Sequence, residues 1–211
     1  MRTMRVLLAA VLLTAACGGD DENGSNTAAA DSATVEDSIA TTALLSIPRA
    51  FSMAEVEFGQ LAAQRAASPA IRQYAQTIAA DHRALIALLD SVAQLRRANL
   101  APTPDAAELE NTVRMAHSGL ENLNGAQFDL PFIRAEVESH RLLLDRLDQQ
   151  LIPSATSSDL RNLLTDIRAM VDAHLARARQ LLAQQLGESP QPMQQQQRQA
   201  PRPPPTRPDT I

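Results

Sequence analysis

Four histidines are the residues of this sequence best suited to chemistry inside a folded core. His140 and His174 each stand where an apolar side chain is expected, in runs spaced by four and three residues. His82 lies four residues after Ile78, on the same kind of face. Because neutral imidazole binds several transition metals, we predict that these three rings point inward at a similar height. His117 lies beside its apolar face and has no such match.

Acidic residues near these histidines could complete a metal site. Glu55 and Glu57 flank the apolar face of the first helix at a comparable height. Glu136 precedes His140 by four residues, which places both on one helix face. Imidazole and carboxylate donors together favour zinc or iron. The predicted metal ligands are Glu55, Glu57, His82, Glu136, His140 and His174.

A carboxylate-bridged di-iron centre is not predicted. In helical bundles such a centre uses Glu-x-x-His segments on two helices. Ala79, Val137 and Val171 stand three residues before the three inward histidines, so the motif is absent. The predicted metal site is therefore mononuclear.

A purely structural interpretation competes with the metal site. Buried imidazoles need hydrogen-bond partners, and Asp81, Glu138 and Asp172 could supply them. Such a polar layer would fix the register of the helices. The sequence contains no nucleophile elbow and no phosphate-binding glycine loop, so it favours a binding or structural role over catalysis.

The composition excludes several other classes of protein. Aromatic residues make up 2% of the 211 residues and the net charge is −5, so binding to nucleic acid is not expected. One cysteine cannot build a disulfide scaffold or a zinc ribbon. Alanine, leucine, arginine, glutamine and glutamate dominate, and these helix formers predict an all-α fold.

The first residues predict export and a lipid anchor. Arg2 and Arg5 precede an apolar run at residues 6–13, and two alanines precede Cys17. This arrangement resembles the lipobox of bacterial lipoproteins, which implies cleavage before Cys17 and lipid on its thiol. We therefore predict a lipoprotein signal peptide at residues 1–16 and lipidation at Cys17.

Residues 17–33 are rich in glycine, aspartate, asparagine and serine, which predicts a flexible tether between lipid and fold. Gly18 follows the cysteine where an aspartate would favour the inner membrane. By resemblance to that sorting rule, we expect a periplasm-facing protein in the cell envelope, held at the outer membrane in preference to the inner. The lipid anchor is then its contact with the membrane.

Apolar periodicity between prolines predicts a helical bundle at residues 34–187. Ser68-Pro69 and Thr103-Pro104 have the form of helix starts, and Gly187 that of a helix end. Pro48 predicts a kink or break in the first helix, and Gly59 a close contact between helices.

A further helix at about 104–123 would join the second and third main helices. One long helical crossover at that place defines a ferritin-like four-helix bundle, and an up-down bundle with a fifth helix is the alternative.

Several segments also resemble a known bacterial family. They are Ala54-Glu55-Val56-Glu57-Phe58-Gly59-Gln60-Leu61-Ala62, Ala67-Ser68-Pro69, Ala80-Asp81-His82, Leu123-Asn124-Gly125-Ala126-Gln127-Phe128-Asp129 and Glu138-Ser139-His140. The family is a ferritin-like domain of unknown function found in proteins described as outer-membrane or periplasmic. The resemblance spans about residues 43–186 and departs at Pro131 and before His140. It implies the fold and the compartment, but no reaction.

The last segment, residues 188–211, is rich in proline and glutamine and has no apolar face to bury, which predicts a disordered tail. The tail could reach the cell wall or another envelope protein. Together these observations predict a lipid-anchored envelope protein with a binding or structural role. The alternative is a metal-binding or oxidative-stress protein that uses the inward histidines and glutamates.

Overall fold

The computed structural model describes residues 26–187, with side chains from Val35 onward, and this part of the chain is all-helical. Four long helices are joined by a short helix and by tight turns. The helices are α1 (Asn26–Arg65), α2 (Pro69–Leu95), α3 (Pro104–Ala116), α4 (Ala126–Arg146), α5 (Ile152–Ser154) and α6 (Ser158–Gln185). A 3₁₀ turn covers Leu120–Asn122, and a π-helical turn at Leu147–Leu151 joins α4 to α5.

The predicted helix ends are confirmed. The Ser68 hydroxyl accepts a hydrogen bond from the Ile71 N–H, and the Thr103 hydroxyl accepts one from the Ala106 N–H. Each cap is followed by proline, whose missing N–H costs nothing in the first turn of a helix. Beyond α6, Gly187 has φ +72°, the left-handed conformation in which glycine commonly ends a helix.

Helix α1 is longer than the sequence predicted. It begins at Asn26, so residues 26–33, which were predicted as tether, are helical. Three consecutive alanines at residues 28–30 account for this, because alanine is the strongest helix former. Of the predicted kink or break at Pro48, the break is excluded, since α1 runs through this residue. The Ser52 hydroxyl donates to the Pro48 carbonyl at 2.7 Å.

The predicted crossover helix is shorter than expected. The connection from α2 to α4 spans residues 96–125, but α3 ends at Ala116 instead of continuing to residue 123. Gly119 adopts φ +84°, which lies outside the right-handed helix, and only the 3₁₀ turn follows. At 13 residues, α3 is about 20 Å long at 1.5 Å per residue.

One core lies between the long helices. Helix α1 packs mainly along α2, α4 packs along α6, and α3 lies against α1 and α4. The largest fully buried side chains include Phe51, Phe128 and Phe132. The predicted role of Gly59 is confirmed: a Cβ atom at this position would lie 2.8 Å from the Ala75 carbonyl oxygen, so glycine allows α1 and α2 to approach closely.

Asp129 in the first turn of α4 holds the α1–α2 turn in place. Its two carboxylate oxygens accept hydrogen bonds from the N–H groups of Ala67 and Ser68, at 2.9 and 2.8 Å. The Gly125 N–H donates to the Arg65 carbonyl at 2.8 Å. This junction fixes the relative height of α1, α2 and α4, and so the level at which their polar residues meet.

The described residues include no helix that is both long enough and apolar enough to cross a membrane. Several predictions fall elsewhere in the chain. The signal peptide at residues 1–16, the lipidated Cys17, the tether up to residue 25 and the tail at 188–211 lie outside the described residues.

Candidate metal centre

Three histidine rings meet in the core, as the sequence predicted. His82 comes from α2, His140 from α4 and His174 from α6. The ring centroids lie 5.3 Å apart for His82 and His174, 5.5 Å for His140 and His174, and 5.8 Å for His82 and His140. Phe51 of α1 covers this three-histidine cluster, with its ring 5.5 Å from those of His82 and His140. His82 and His140 are fully buried, and His174 is 6% exposed.

The hydrogen bond of His82 determines which of its nitrogens carries the proton. Its Nδ1 lies 3.1 Å from the Ser52 Oγ. The Ser52 hydroxyl already donates its one proton to the Pro48 carbonyl. The serine oxygen can therefore only accept here, so Nδ1–H of His82 donates and Nε2 keeps its lone pair.

The other two rings are held in the same way. Nδ1 of His140 lies 3.0 Å from the backbone carbonyl oxygen of Glu136, and Nε2 of His174 lies 3.0 Å from Oδ2 of Asp81. Carbonyl and carboxylate oxygens accept hydrogen bonds, so both nitrogens donate. Each neutral ring then has one remaining nitrogen with a free lone pair. Metal-binding histidines are usually oriented by such a bond on their other nitrogen.

The remaining nitrogens of the cluster have no protein partner. Nε2 of His82, Nε2 of His140 and Nδ1 of His174 are buried and make no hydrogen bond within the described residues. One ring nitrogen from each histidine lies within 4.8 Å of the others. Three buried acceptors cannot all be satisfied by one water molecule, which has two protons. A metal ion accepts three lone pairs at once, so the donor set fits a metal.

Burial keeps these rings neutral. It lowers the pKa of His82 well below its usual range, and the neighbouring rings lower it further. The pKa of His140 falls to about 3 through burial and the proximity of His174. Burial also lowers the pKa of His174, although the bond to Asp81 opposes the shift. Neutral imidazole is the form that binds metal, so few protons compete with it at neutral pH.

A second polar group surrounds Glu136 on α4, next to the cluster. Tyr74 donates its hydroxyl proton to Oε2 of Glu136 at 3.2 Å, and Nε2 of His117 lies 3.2 Å from Oε1. Nδ1 of His140 is 3.5 Å from Oε2, so the two groups adjoin. Burial raises the pKa of Glu136 to about 8, against the effect of its hydrogen bonds.

His117 is the member of this group that the sequence analysis missed. It is 1% exposed, its Nδ1 bonds the Val113 carbonyl at 2.9 Å, and its ring stacks on Phe58 at 4.0 Å between centroids. The signal was present: buried Ala106, Leu109 and Val113 follow a spacing of three and four, and His117 comes four residues later. The spacing of these residues therefore predicts that His117 lies on the inward face of α3.

Glu55 of α1 is fully buried, as predicted for a ligand. Neither carboxylate oxygen makes a hydrogen bond within the described residues. Burial raises its pKa well above the usual range, and the charge of Glu136 raises it further. Ligand atoms from Glu55, Glu136 and His140 lie within 4.8 Å of one another, so His140 belongs to both polar groups.

Three predicted residues lie elsewhere. Glu57, predicted as a metal ligand, is exposed, and its carboxylate accepts a hydrogen bond from Arg114 at 2.8 Å, so it lies in neither polar group. Glu138 and Asp172 are also exposed and bond none of the rings, whereas Asp81 does. Each misplaced residue stands two positions from an inward one, and residues two apart do not share a helix face.

Comparison with known proteins identifies the family. No curated protein and no solved structure matches the chain. A family model described as a domain of unknown function, DUF4142, matches residues 24–181, which include every residue of both polar groups. Since this match covers well over half of the sequence, the chain belongs to the DUF4142 family.

Proposed function

We propose that this protein binds a transition-metal ion at His82, His140 and His174, in a ferritin-like bundle anchored to a bacterial cell envelope. The observation that carries the proposal is the set of three buried nitrogen lone pairs without protein partners. Each ring is held on its other side by Ser52, by the Glu136 carbonyl or by Asp81. Such second-sphere bonds orient histidine ligands toward a metal.

Three neutral imidazoles favour zinc or iron, with a fourth position for water. The cluster is closed by Phe51 and by the surrounding helices. Two surface depressions, one near Leu95 and Leu160 and one near Leu44 and Leu151, include no residue of the cluster. This enclosure favours a role in holding metal over one in turning over a large substrate.

The envelope location rests on the sequence. The charged start, the apolar run and the alanines before Cys17 support a lipid anchor. The long connection between α2 and α4, which contains α3, supports the ferritin-like arrangement. Mass spectrometry of membrane-extracted protein should find lipid on Cys17. A Cys17→Ser protein that still partitions into membranes would contradict the anchor.

Metal analysis of the full chain, expressed without a tag, tests metal binding. We expect zinc or iron in the natively purified protein and a triple variant, His82→Leu, His140→Leu and His174→Leu, that loses this metal. Cobalt(II) added to metal-free protein gives visible bands that report nitrogen ligation, and the triple variant should lack them. Glu57→Gln is the matched control, because its exposed carboxylate faces Arg114. A folded wild-type chain that takes up no metal would refute the proposal.

A structural polar layer is the second candidate function. It is favoured by one observation, namely that every ring of the cluster already makes one hydrogen bond. In that case the wild type would contain no metal, and the triple leucine variant would disturb helix register and the envelope phenotype. A triple variant with the wild-type envelope phenotype would exclude a role for the layer. Contact of residues 188–211 with the cell wall or with another envelope protein stays a prediction within either candidate.

A further inference from the structure

We propose that Glu55 and Glu136 form a second cation site beside the three-histidine cluster, so that the core holds two metal ions. This inference rests on the proposed metal binding. It begins from Glu55, whose side chain is fully buried and whose two oxygens have no partner within the described residues. A buried carboxyl group without any hydrogen bond is costly unless a proton or a cation compensates it.

Glu136 can bind a cation without losing its present contacts. Its oxygens accept the Tyr74 hydroxyl and face Nε2 of His117, one contact at 3.2 Å on each oxygen, and Nδ1 of His140 lies farther from Oε2, at 3.5 Å. A carboxylate oxygen has two lone pairs, so each keeps one for a further ligand. Tyr74 and His117 then orient the carboxylate, as second-sphere groups do in metal sites.

A shared proton is the rival explanation for two adjoining carboxyl groups. It would require a short hydrogen bond, about 2.5–2.7 Å between oxygens, from one carboxyl group to the other. Ligand atoms of Glu55 and Glu136 lie within 4.8 Å of one another, a limit that includes both the short bond of a shared proton and the spacing of two oxygens on one ion. Two oxygens bound to one ion at about 2.1 Å each can lie as much as roughly 4.2 Å apart. The metal titration below therefore distinguishes the two, because a shared proton leaves no manganese bound.

The donors also indicate the class of ion. His140 lies in both groups, but its Nδ1 donates to the Glu136 carbonyl, and its one free nitrogen, Nε2, is the one proposed to bind metal with His82 and His174. The second site therefore consists of carboxylate oxygens, with water to complete it. Oxygen ligands suit manganese(II), and carboxylates with an adjoining imidazole suit iron(II). Two ionised carboxylates also match the charge of one divalent ion.

The test counts metal ions in the full chain. The metal-free protein is first loaded with one equivalent of zinc and then titrated with manganese(II), whose binding is followed by electron paramagnetic resonance. We expect one bound manganese per chain in the wild type. We expect at least a tenfold loss of manganese affinity in Glu55→Gln and in Glu136→Gln, with zinc retained. Glu57→Gln, at an exposed position two residues after Glu55, should behave as the wild type.

Each outcome decides between the sites. Zinc binding without manganese binding overturns the second site and leaves the three-histidine site standing. Weaker zinc binding in Glu55→Gln, with no manganese bound by the wild type, would make Glu55 a fourth ligand of one ion and also overturns it. A wild-type chain that binds neither metal refutes the proposed function itself. Circular dichroism of both glutamine variants separates lost ligation from lost folding.

Discussion

Nε2 of His117 lies 3.2 Å from Oε1 of Glu136, and neither side chain has any exposed surface. Nδ1 of His117 bonds the Val113 carbonyl, so that nitrogen carries a proton. Two bare lone pairs would repel at 3.2 Å, so another proton lies between His117 and Glu136. This contact joins α3 to α4, and it connects the crossover segment to the polar groups of the core.

Replacing His117 by alanine should destabilise the protein by about 2–4 kcal/mol. The change leaves Oε1 of Glu136 without its partner, removes the stacking on Phe58 and opens a cavity. Urea unfolding measures the difference. Thr112→Ala, at an exposed position of the same helix, should stay within about 0.5 kcal/mol of the wild type. Equal stabilities for the two variants would show that the contact contributes nothing.

The metal-free protein should be most stable near pH 6.5. Below this pH the unfolded histidines take up protons, whereas His82, His140 and His174 stay neutral in the fold because burial lowers their pKa. Stability therefore falls as the pH decreases from about 6.5 toward 3. Between about pH 4.5 and 6.5 the buried Glu55 and Glu136 oppose this trend, because they stay protonated in the fold and so stabilise it as the pH falls. Three histidines contribute more to the pH dependence than two glutamates, so stability still decreases.

The glutamates dominate on the alkaline side of that maximum. Unfolded Glu136 ionises above about pH 4.5, whereas folded Glu136 keeps its proton until about pH 8. The contribution of Glu136 to the free energy of unfolding therefore decreases as the pH rises, by about 2 kcal/mol between pH 6.5 and 8. Denaturant unfolding at a series of pH values measures this loss, and Glu136→Gln should reduce it. Stability that climbs steadily from pH 6.5 to 8 would be inconsistent with a buried, protonated Glu136.

The stability of His140→Leu relative to the wild type should change sign when zinc is added: the variant is at least as stable without zinc and less stable with it. Without metal, leucine removes a buried nitrogen that lacks a partner, so the variant should be as stable as the wild type or slightly more stable. With zinc at about 100 times its dissociation constant, the wild type should gain about 2.7 kcal/mol and the variant far less. Thermal unfolding with and without zinc measures both values. Glu138→Gln, an exposed neighbour, should keep the full response; an equal gain in His140→Leu would exclude His140 as a ligand.

The sequence predicted the inward direction of His82, His140 and His174 because a side chain on an apolar helical face is buried wherever that face packs. It did not resolve residues two positions apart on one helix. Glu55 and Glu57 seemed equivalent from their spacing to the apolar face, yet one is fully buried and the other pairs with Arg114. A rotation of about 200° separates them, and only the packed helix shows which one faces inward.

The hydrogen bonds between different helices could not be predicted from the sequence. Asp81 was correctly chosen as a partner for a ring, but its adjacent ring is His82 and it bonds His174 of α6 instead. His117 was set aside because it lies beside the apolar face of its helix and has no match at the height of the other rings, although it follows buried Val113 by four residues. Spacing along one helix predicts which face is buried, whereas the identity of the partner depends on how separate helices align.

Gly59→Ala should weaken both the fold and the metal site. An alanine Cβ would lie 2.8 Å from the Ala75 carbonyl oxygen and 3.0 Å from the Ala79 Cβ. Backbone cannot rotate away, so α1 and α2 must separate. Alanine gains about 1 kcal/mol in helix propensity, but overpacking a tight contact costs about 1–3 kcal/mol. We therefore expect a net destabilisation of as much as about 2 kcal/mol in urea unfolding.

The separation of α1 from α2 in Gly59→Ala should also displace the metal ligands on these helices. Glu55 lies one helical turn before Gly59 on α1, and His82 lies three residues after Ala79 on α2. Moving these helices apart displaces Glu55 and His82 from His140, so zinc affinity should fall together with stability. Gln60→Ala is the matched control, because it adds the same residue at an exposed neighbouring position without touching α2. Gly59→Ala with wild-type stability and zinc affinity would show that α1 and α2 can separate without disturbing the ligands.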